Sequence, residues 1–185
     1  SEYLVNKYGR GVKLINGVNR NEFKPLERDK ARLRADVDPK SKVILSFGNT
    51  FGETRELWLE EVSYQLSKLA PEIHLTKLTN AGTEKLRLWL GVCDLVLFPT
   101  GDNPCERACF PIRVGTTLNA ERVIATDISP TEFHQTLEPY NCMVTGYTSC
   151  ELALNIIKFF KDKSFRKTLE ENVLRAKQEL NWDVI

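Results

Sequence analysis

The sequence predicts a doubly wound α/β domain whose parallel sheet is covered by helices on both faces. Short apolar runs alternate along the chain with longer segments of helical periodicity. The clearest run is Leu95-Val96-Leu97-Phe98, which follows Asp94 and ends at Pro99. Strands that are apolar throughout are buried on both faces, as is typical of parallel sheets in α/β proteins. The 185 residues are enough for one such domain with a substantial core.

Five strands are predicted, each a short apolar run bounded by turn-forming residues. Gly48 ends the first run, and the second alternates apolar and polar residues at its start, from Ile73 to Leu75. In chain order, the predicted strands cover residues 43–48, 73–79, 94–99, 123–126 and 142–144. The segments between them are long enough for the helical crossovers that parallel pairing requires.

Helices are predicted where apolar residues recur at steps of three and four. Thr83 is expected to cap one helix, and a capping box from Ser129 to Glu132, with Pro130 at the first helical position, begins another. The charge-rich residues 27–40 are interpreted as either a short helix or a solvated loop. The predicted helices cover residues 54–69, 83–90 and part of 112–119, and a further helix begins at residue 129. Two more helices are predicted at residues 151–160 and 165–180, within the terminal region 151–182. Residues 1–185 are interpreted as one domain with a lead-in over residues 1–25.

Composition argues against several functional classes. Hydrophobic residues make up 42% of the chain and charged residues 28%, so the chain is not expected to be disordered. The chain has 26 Lys and Arg residues and 25 Asp and Glu residues, so its net charge is +1. Nonspecific nucleic-acid-binding proteins are strongly basic, so that function is not expected. No apolar run approaches about 18 residues, so no membrane-spanning helix is expected. The absence of a signal-peptide pattern at the first residues predicts a cytoplasmic protein.

The cysteines and histidines indicate neither a disulfide framework nor a metal site. Cysteines that are odd in number and sparsely spaced are interpreted as reduced and mostly buried. They are Cys93, Cys105, Cys109, Cys142 and Cys150. Cys105 and Cys109 could face one way on a helix, but the only histidines are His74 and His134, so too few ligands are available for zinc.

Polar and glycine residues follow several of the predicted strands. These segments are residues 48–50, 79–82, 100–103 and 127–129. The carboxyl ends of parallel strands lie at one edge of the sheet, and doubly wound sheets bind their ligands outside that edge. The sequence therefore predicts a ligand site there.

Four stretches of the chain, taken in order, resemble phrases of the family 4 (group 1) retaining glycosyltransferases, which have the two-domain B-type fold. The most specific is Asn16-Gly17-Val18 followed by Phe23-Lys24-Pro25, which resembles the linker phrase of that family. The other three stretches are residues 88–100, 119–127 and 152–182. The resemblance is collinear from Ser1 to Trp182.

The resemblance implies a Rossmann-like fold and the C-terminal, donor-binding half of such an enzyme. The implied substrate is a nucleoside-diphosphate sugar, whose sugar would be transferred with retention and without a further cofactor or metal. The implied partner is an N-terminal acceptor-binding domain that is absent from this chain, so the chain alone is not expected to be active. Peripheral membrane association through the missing domain stays open, and nucleic acid is not an expected partner.

Several positions that carry charge in the resembling family hold other residues here. The two cations that neutralise the diphosphate correspond to Asn49 and Thr54, with Arg55 beside the second. The two glutamates that lie by the sugar and hold the ribose correspond to Arg107 and Gly115. These departures favour an alternative, a degenerate and non-catalytic interaction module, whereas the glycine-rich strand ends favour the enzyme.

The candidate donor-binding residues each have a structural alternative. Gly48, followed by Asn49 and Thr50, allows the backbone to approach a diphosphate closely or simply forms a turn. Asn80 contacts the base or only shapes the turn after its strand. No catalytic residue is assigned. The full candidate set is Gly48, Asn49, Thr50, Arg55, Asn80, Thr100, Arg107, Arg113, Gly115, Thr116 and Thr117.

The remaining candidates are cations and hydroxyls. The cations Arg55, Arg107 and Arg113 grip phosphate or only form surface ion pairs. Thr116 and Thr117 are expected in the first turn of the helix after Gly115, where they bind a phosphate or only cap the helix.

Overall fold

The computed structural model describes residues 24–48, 53–100, 110–129 and 131–180, together with Gly9. Seven α-helices and five strands lie in these residues. In chain order, they are α1 (Arg28–Arg34), β1 (Lys42–Gly48), α2 (Glu53–Leu69), β2 (Ile73–Thr79), α3 (Thr83–Val92), β3 (Leu95–Phe98), α4 (Ile112–Asn119), β4 (Val123–Asp127), α5 (Glu132–Leu137), a 3-10 helix (Glu138–Tyr140), β5 (Met143–Gly146), α6 (Ser149–Lys161) and α7 (Lys163–Glu179).

The five strands form one parallel sheet in the order β2-β1-β3-β4-β5. From β1 the chain first adds β2 on one side, then crosses to add β3, β4 and β5 on the other. The order therefore reverses between β1 and β3, which is the switch point at which doubly wound sheets bind ligands. Helix α2 packs against α6, and α4 packs against α7. The predicted fold class is confirmed.

Burial explains why the strands could be recognised as apolar runs. Residues 43–47 of β1 and all of β3 are buried. Leu59, Val62 and Leu66 of α2, which carry the predicted periodicity, are at most 1% exposed. The same residues thus set the local structure and supply the core.

The capping prediction at Ser129 is wrong by two residues. Helix α5 begins at Glu132, and its N-cap is Thr131, whose hydroxyl accepts a hydrogen bond from the backbone N–H of His134 at 3.4 Å. The Ser129 hydroxyl is buried and has no hydrogen-bond partner among the described residues. Thr131 also satisfies the N-cap preference, and the sequence did not distinguish the two hydroxyls. At α3 the N-cap is Gly82, so Thr83 is the first helical residue.

The charged segment 27–40 contains the helix α1, which is the first of the two predicted alternatives. The helix is not simply solvated, because Ala31 and Arg32 are completely buried. The Arg32 guanidinium contacts the carboxylate of Asp94, with Nη2 lying 3.0 Å from Oδ2. Arg28 donates to the same carboxylate, and Arg166 of α7 does so at 3.3 Å.

Asp94 also joins the backbone of β1 to that of β3. Its Oδ2 accepts from the N–H of Val43 at 2.9 Å, and its own N–H donates to the Val43 carbonyl at 2.8 Å. Arg32 extends the network by donating to four backbone carbonyls, those of Asp38, Pro39, Ser41 and Val92. One buried carboxylate thus connects α1, α7 and the starts of β1 and β3.

Three of the five cysteines lie in the described residues. Cys93 and Cys142 are buried free thiols, and Cys150 is an exposed one. Cys105 and Cys109 lie outside the described residues. None of the described helices is long and apolar enough to cross a bilayer. The described part of the chain contains no group of three or more His, Cys, Asp or Glu side chains that could hold a metal ion.

Substitution Asp94→Ala is expected to destabilise the chain by about 3–5 kcal/mol, because it leaves the buried guanidinium of Arg32 without its carboxylate. The matched control is Glu171→Ala, which removes an exposed i,i+4 pair with Lys167 at 3.7 Å and should cost about 1 kcal/mol or less. Urea denaturation followed by circular dichroism measures both. Equal stability losses would contradict the assignment of Asp94 as a central contact.

The buried thiols are expected to resist alkylation in the folded chain. Burial raises the pKa of both Cys93 and Cys142 to about 12, so at pH 8 both stay protonated and shielded from reagent. Iodoacetamide should modify Cys150 in the native state but reach Cys93 and Cys142 only after unfolding, as peptide mass spectrometry would show. Native-state labelling of Cys93 at the rate of Cys150 would contradict its burial.

Candidate functional site

A cleft lies at the carboxyl ends of β1 and β2, beside the start of α4. Its volume is about 240 Å³. It is lined by Phe47, Gly48, Leu78, Asn80, Ala81, Leu86, Ile112, Arg113 and Thr116. None of these lining residues is acidic. The cleft therefore lies at the predicted edge of the sheet and combines apolar walls with one cation, one amide and one hydroxyl.

The apolar part of the cleft comes from β1, β2, α3 and α4. Phe47 and Leu78 are buried strand residues, while Ile112 at the start of α4 is 76% exposed. Asn80 follows β2 directly and has a left-handed backbone with φ of 51°. Asn is one of the few residues that adopt this conformation readily, which explains its presence at the turn. The arrangement offers an apolar slot with an amide group at its rim, which suits a flat heterocycle.

Arg113 supplies the positive charge of the cleft. Its Nη1 donates to the carbonyl of Phe47 at 3.1 Å, and its guanidinium carbon lies 5.6 Å from the centroid of the Phe98 ring. Phe98 is itself held edge-to-face against Phe47, with ring centroids 5.6 Å apart. A carbonyl and an aromatic face thus fix the guanidinium of α4 at the end of β1.

Gly48 is required at this strand end for two reasons. Its φ of 145° lies in a region that other residues rarely adopt. A Cβ atom at this position would also overlap the guanidinium of Arg113. The glycine therefore makes room for the cation.

A second polar group lies at the ends of β3 and β4. The backbone N–H of Thr100 donates to Oδ1 of Asp127 at 2.8 Å, and the Thr100 hydroxyl donates to Oδ2 at 2.6 Å. Arg55 of α2 interacts electrostatically with the carboxylate of Asp127. Partial burial lowers the pKa of Arg55, and the charge of Asp127 opposes that shift.

The expected position of Thr116 and Thr117 is wrong. Helix α4 begins at Ile112, so both threonines lie in its second turn and not in its first. The Thr116 hydroxyl donates to the Ile112 carbonyl at 3.2 Å, and the Thr117 hydroxyl to the Arg113 carbonyl at 2.8 Å. Thr117 and Gly115 are buried within the helix. Thr116 lines the cleft because of its position on α4. Its backbone N–H does not belong to the first turn of the helix, where N–H groups would be available to a phosphate.

The structure brings part of the predicted site together. Four of the predicted residues, Gly48, Asn80, Arg113 and Thr116, line one cleft. Arg55 and Thr100 belong instead to the group around Asp127. Asn49, Thr50 and Arg107 lie outside the described residues, as does the side chain of Thr54.

The sequence-based candidate set did not include Phe47, Phe98 or Asp127, although residues 127–129 were placed at the predicted ligand edge. Asp127 stands at a predicted strand end, and this position could have identified it. The two phenylalanines read only as core residues, because their contact with Arg113 joins distant parts of the chain.

No family model and no curated protein sequence matches the chain. Similar folds occur among solved structures. Sucrose-phosphate synthase from Thermosynechococcus elongatus superposes with a TM-score of 0.68 at 16% identity, over 98% of this chain and 52% of that one. The C-terminal domain of LpcC, a group 1 family glycosyltransferase from Francisella tularensis, gives 0.66 at 11% identity, over 88% and 97%. HepE of Anabaena, solved in complex with UDP and glucose, gives 0.65 at 16%, over 91% and 53%.

These similarities define the class of fold. The chain has the fold of glycosyltransferase domains, and the predicted resemblance to a C-terminal domain of that type is confirmed at the level of fold. The chain spans about half the length of the sucrose-phosphate synthase and HepE structures and nearly all of the separate LpcC domain.

Substitution Gly48→Ala is expected to destabilise the chain by about 1–3 kcal/mol, because it strains the backbone and displaces Arg113. In an Arg113→Ala background the steric part should vanish, so the two substitutions should couple measurably in a double-mutant cycle. Gly82→Ala is the control, since nothing lies within 4 Å of a Cβ atom there. Additive effects of Gly48→Ala and Arg113→Ala would contradict the contact.

Proposed function

We propose that this chain is the donor-binding domain of a glycosyltransferase that transfers a sugar from a nucleoside-diphosphate sugar with retention. The observation that carries the proposal is the guanidinium of Arg113, held at the end of β1 beside an apolar cleft. A nucleoside diphosphate has a flat apolar ring at one end and an anion at the other. The cleft offers complementary surfaces to both.

The position of Arg113 supports diphosphate binding in particular. Bidentate geometry and permanent charge make arginine well suited to phosphate oxygens. Nη1 of Arg113 donates to the Phe47 carbonyl, which holds the guanidinium at the end of β1. Arg55, at the start of α2, is a second cation near the same edge of the sheet. In the resembling family the two cations lie at the positions of Asn49 and Thr54. Arg55 and Arg113 stand at other positions of the chain.

The affinity for a nucleotide is expected to be weak. In the resembling family a glutamate holds the ribose, but the matching residue here is Gly115, which is buried inside α4. The loss of one charge-assisted hydrogen bond costs about 1.5–3 kcal/mol, or roughly tenfold to a hundredfold in affinity. We therefore expect dissociation constants between micromolar and millimolar.

Titration of the chain with UDP, GDP and ADP, followed by backbone amide shifts, is the direct test. Shifts should concentrate at the ends of β1 and β2 and the start of α4. Arg113→Ala should weaken binding of the preferred nucleotide by roughly tenfold to a hundredfold. The control Arg34→Ala removes an exposed arginine of α1 that does not line the cleft, and it should leave the affinity within about twofold, as expected of a surface charge remote from the ligand.

The outcome also separates the two functions that the sequence suggested. Localised shifts that depend on Arg113 support the donor-binding domain. A well-folded chain that shows no shifts at millimolar nucleotide favours the non-catalytic interaction module, in line with the uncharged residues Asn49 and Gly115. An equal loss of affinity in Arg113→Ala and Arg34→Ala would indicate nonspecific electrostatic binding.

A further inference from the structure

The amino edge of the sheet, where the strands begin, carries a cluster of arginines. Arg28 of α1 and Arg166 of α7 both donate through Nη2 to Oδ1 of Asp94. Two donors on one oxygen atom lie within about 6 Å of each other, so guanidinium groups from two different helices meet at this point. A third guanidinium, that of Arg32, contacts Oδ2 of the same carboxylate at 3.0 Å.

The cluster carries more positive than negative charge. Apart from Asp94, the one carboxylate that the three guanidinium groups contact among the described residues is that of Glu170, which accepts from Nε of Arg166 at 2.7 Å. Three cations therefore share two carboxylates. The pKa of Arg32 is lowered, first by burial and next by the charge of Arg28, so the cations of the cluster repel each other.

The sequence around Arg166 adds further positive charge. Residues 158–167 contain five Lys and Arg residues and one acidic residue, Asp162. The Asp162 carboxylate caps α7, where it accepts from the backbone N–H of Phe165 at 2.9 Å. A surface region with such an excess of cations attracts anions.

Two of the three guanidinium groups are accessible to a ligand. The side chains of Arg28 and Arg166 are 36% and 28% exposed, whereas that of Asp94 is 1% exposed. Within the described part of the chain, Arg28 makes no hydrogen bond or ion pair other than that with Asp94. A guanidinium has five N–H groups, so Arg28 retains donors for a ligand.

We propose that Arg28 and Arg166 form a binding site for a phosphate group at the amino edge of the sheet. A phosphate has several oxygens and can accept hydrogen bonds from two guanidinium groups at once, and its charge offsets the excess of cations. Because these arginines belong to α1 and α7, a bound phosphate links the two helices and stabilises the folded chain. The site lies at the opposite edge from Arg113 and does not depend on the proposed function.

The test is a titration of the 185-residue chain with inorganic phosphate, compared with sodium chloride at the same ionic strength. Changes in backbone amide shifts should concentrate at the start of α1, the first turns of α7 and Asp94. Arg28→Gln should weaken phosphate binding by roughly tenfold, as expected for the loss of one charge-assisted hydrogen bond. The control Arg34→Gln removes an exposed cation of the same helix and should change the affinity by less than about twofold.

A second variant tests the site without removing either of its cations. Glu170→Gln removes the carboxylate that competes for Arg166, so phosphate affinity should increase by about threefold. The matched control Glu171→Gln makes the same change of charge at the next residue, which is exposed, and should have a smaller effect. A network with only a structural role would show no gain of affinity in Glu170→Gln.

Two further measurements identify the source of the phosphate. Soluble phosphate monoesters and the headgroup of phosphatidic acid carry the same group. Sedimentation with vesicles that contain phosphatidic acid, if Arg28→Gln abolishes it, assigns the lipid headgroup, whereas phosphate binding without vesicle binding assigns a soluble monoester. Arg113→Ala should leave the shifts at the amino edge unchanged, which separates this site from the cleft at the carboxyl edge.

Three results would overturn the inference. The first is the absence of shifts at the amino edge, beyond those caused by chloride, at tens of millimolar phosphate. The second is an equal loss of affinity in Arg28→Gln and Arg34→Gln, and the third is an equal effect of Glu170→Gln and Glu171→Gln. Since no nucleotide is used, each of these results leaves the proposed function standing.

Discussion

The buried carboxylate of Asp94 is the contact on which the arrangement of the domain depends. It receives hydrogen bonds from Arg28, Arg32 and Arg166 and from the backbone of Val43. A lone buried carboxylate would be strongly destabilising, but here every partner is a cation or a backbone N–H. Because these partners come from α1, α7 and the start of β1, the interaction fixes the amino edge of the sheet. The opposite, carboxyl edge is then available for a ligand.

The carboxyl edge of the sheet carries polar contacts of its own. At the end of β1 the chain places a glycine, and the space left by its missing side chain is taken by the Arg113 guanidinium. At the ends of β3 and β4 it places Thr100 and Asp127, which bind each other. Phe47 and Phe98 of the core pack against each other, and Arg113 contacts both of them.

The sequence predicted the sheet well because its evidence is local. A run such as Leu95–Phe98 is apolar for the same reason that it is buried, so composition and structure coincide. The predictions failed where the deciding contact is distant in sequence or where two residues satisfy the same rule. Arg32 lies in the charge-rich segment 27–40, for which a solvated loop was one of two interpretations, yet it is buried against backbone carbonyls and Asp94. The start of α4 was misplaced because Thr116 and Thr117 read as cap residues, although their hydroxyls bond back to Ile112 and Arg113.

The similarity to glycosyltransferase domains at 11–16% identity has a physical explanation. A packed core constrains many positions weakly, because any apolar residue of suitable volume is tolerated, and the fold persists while identities diverge. A binding site requires a few chemical groups at defined positions in space. Residues at different positions of the sequence can supply these groups. A guanidinium near the end of β1 can come from the loop that follows β1 or, as with Arg113, from α4 across the cleft. Position-by-position comparison therefore finds an uncharged residue, Asn49, in the loop after β1, whereas the structure places the cation Arg113 at the same strand end from α4.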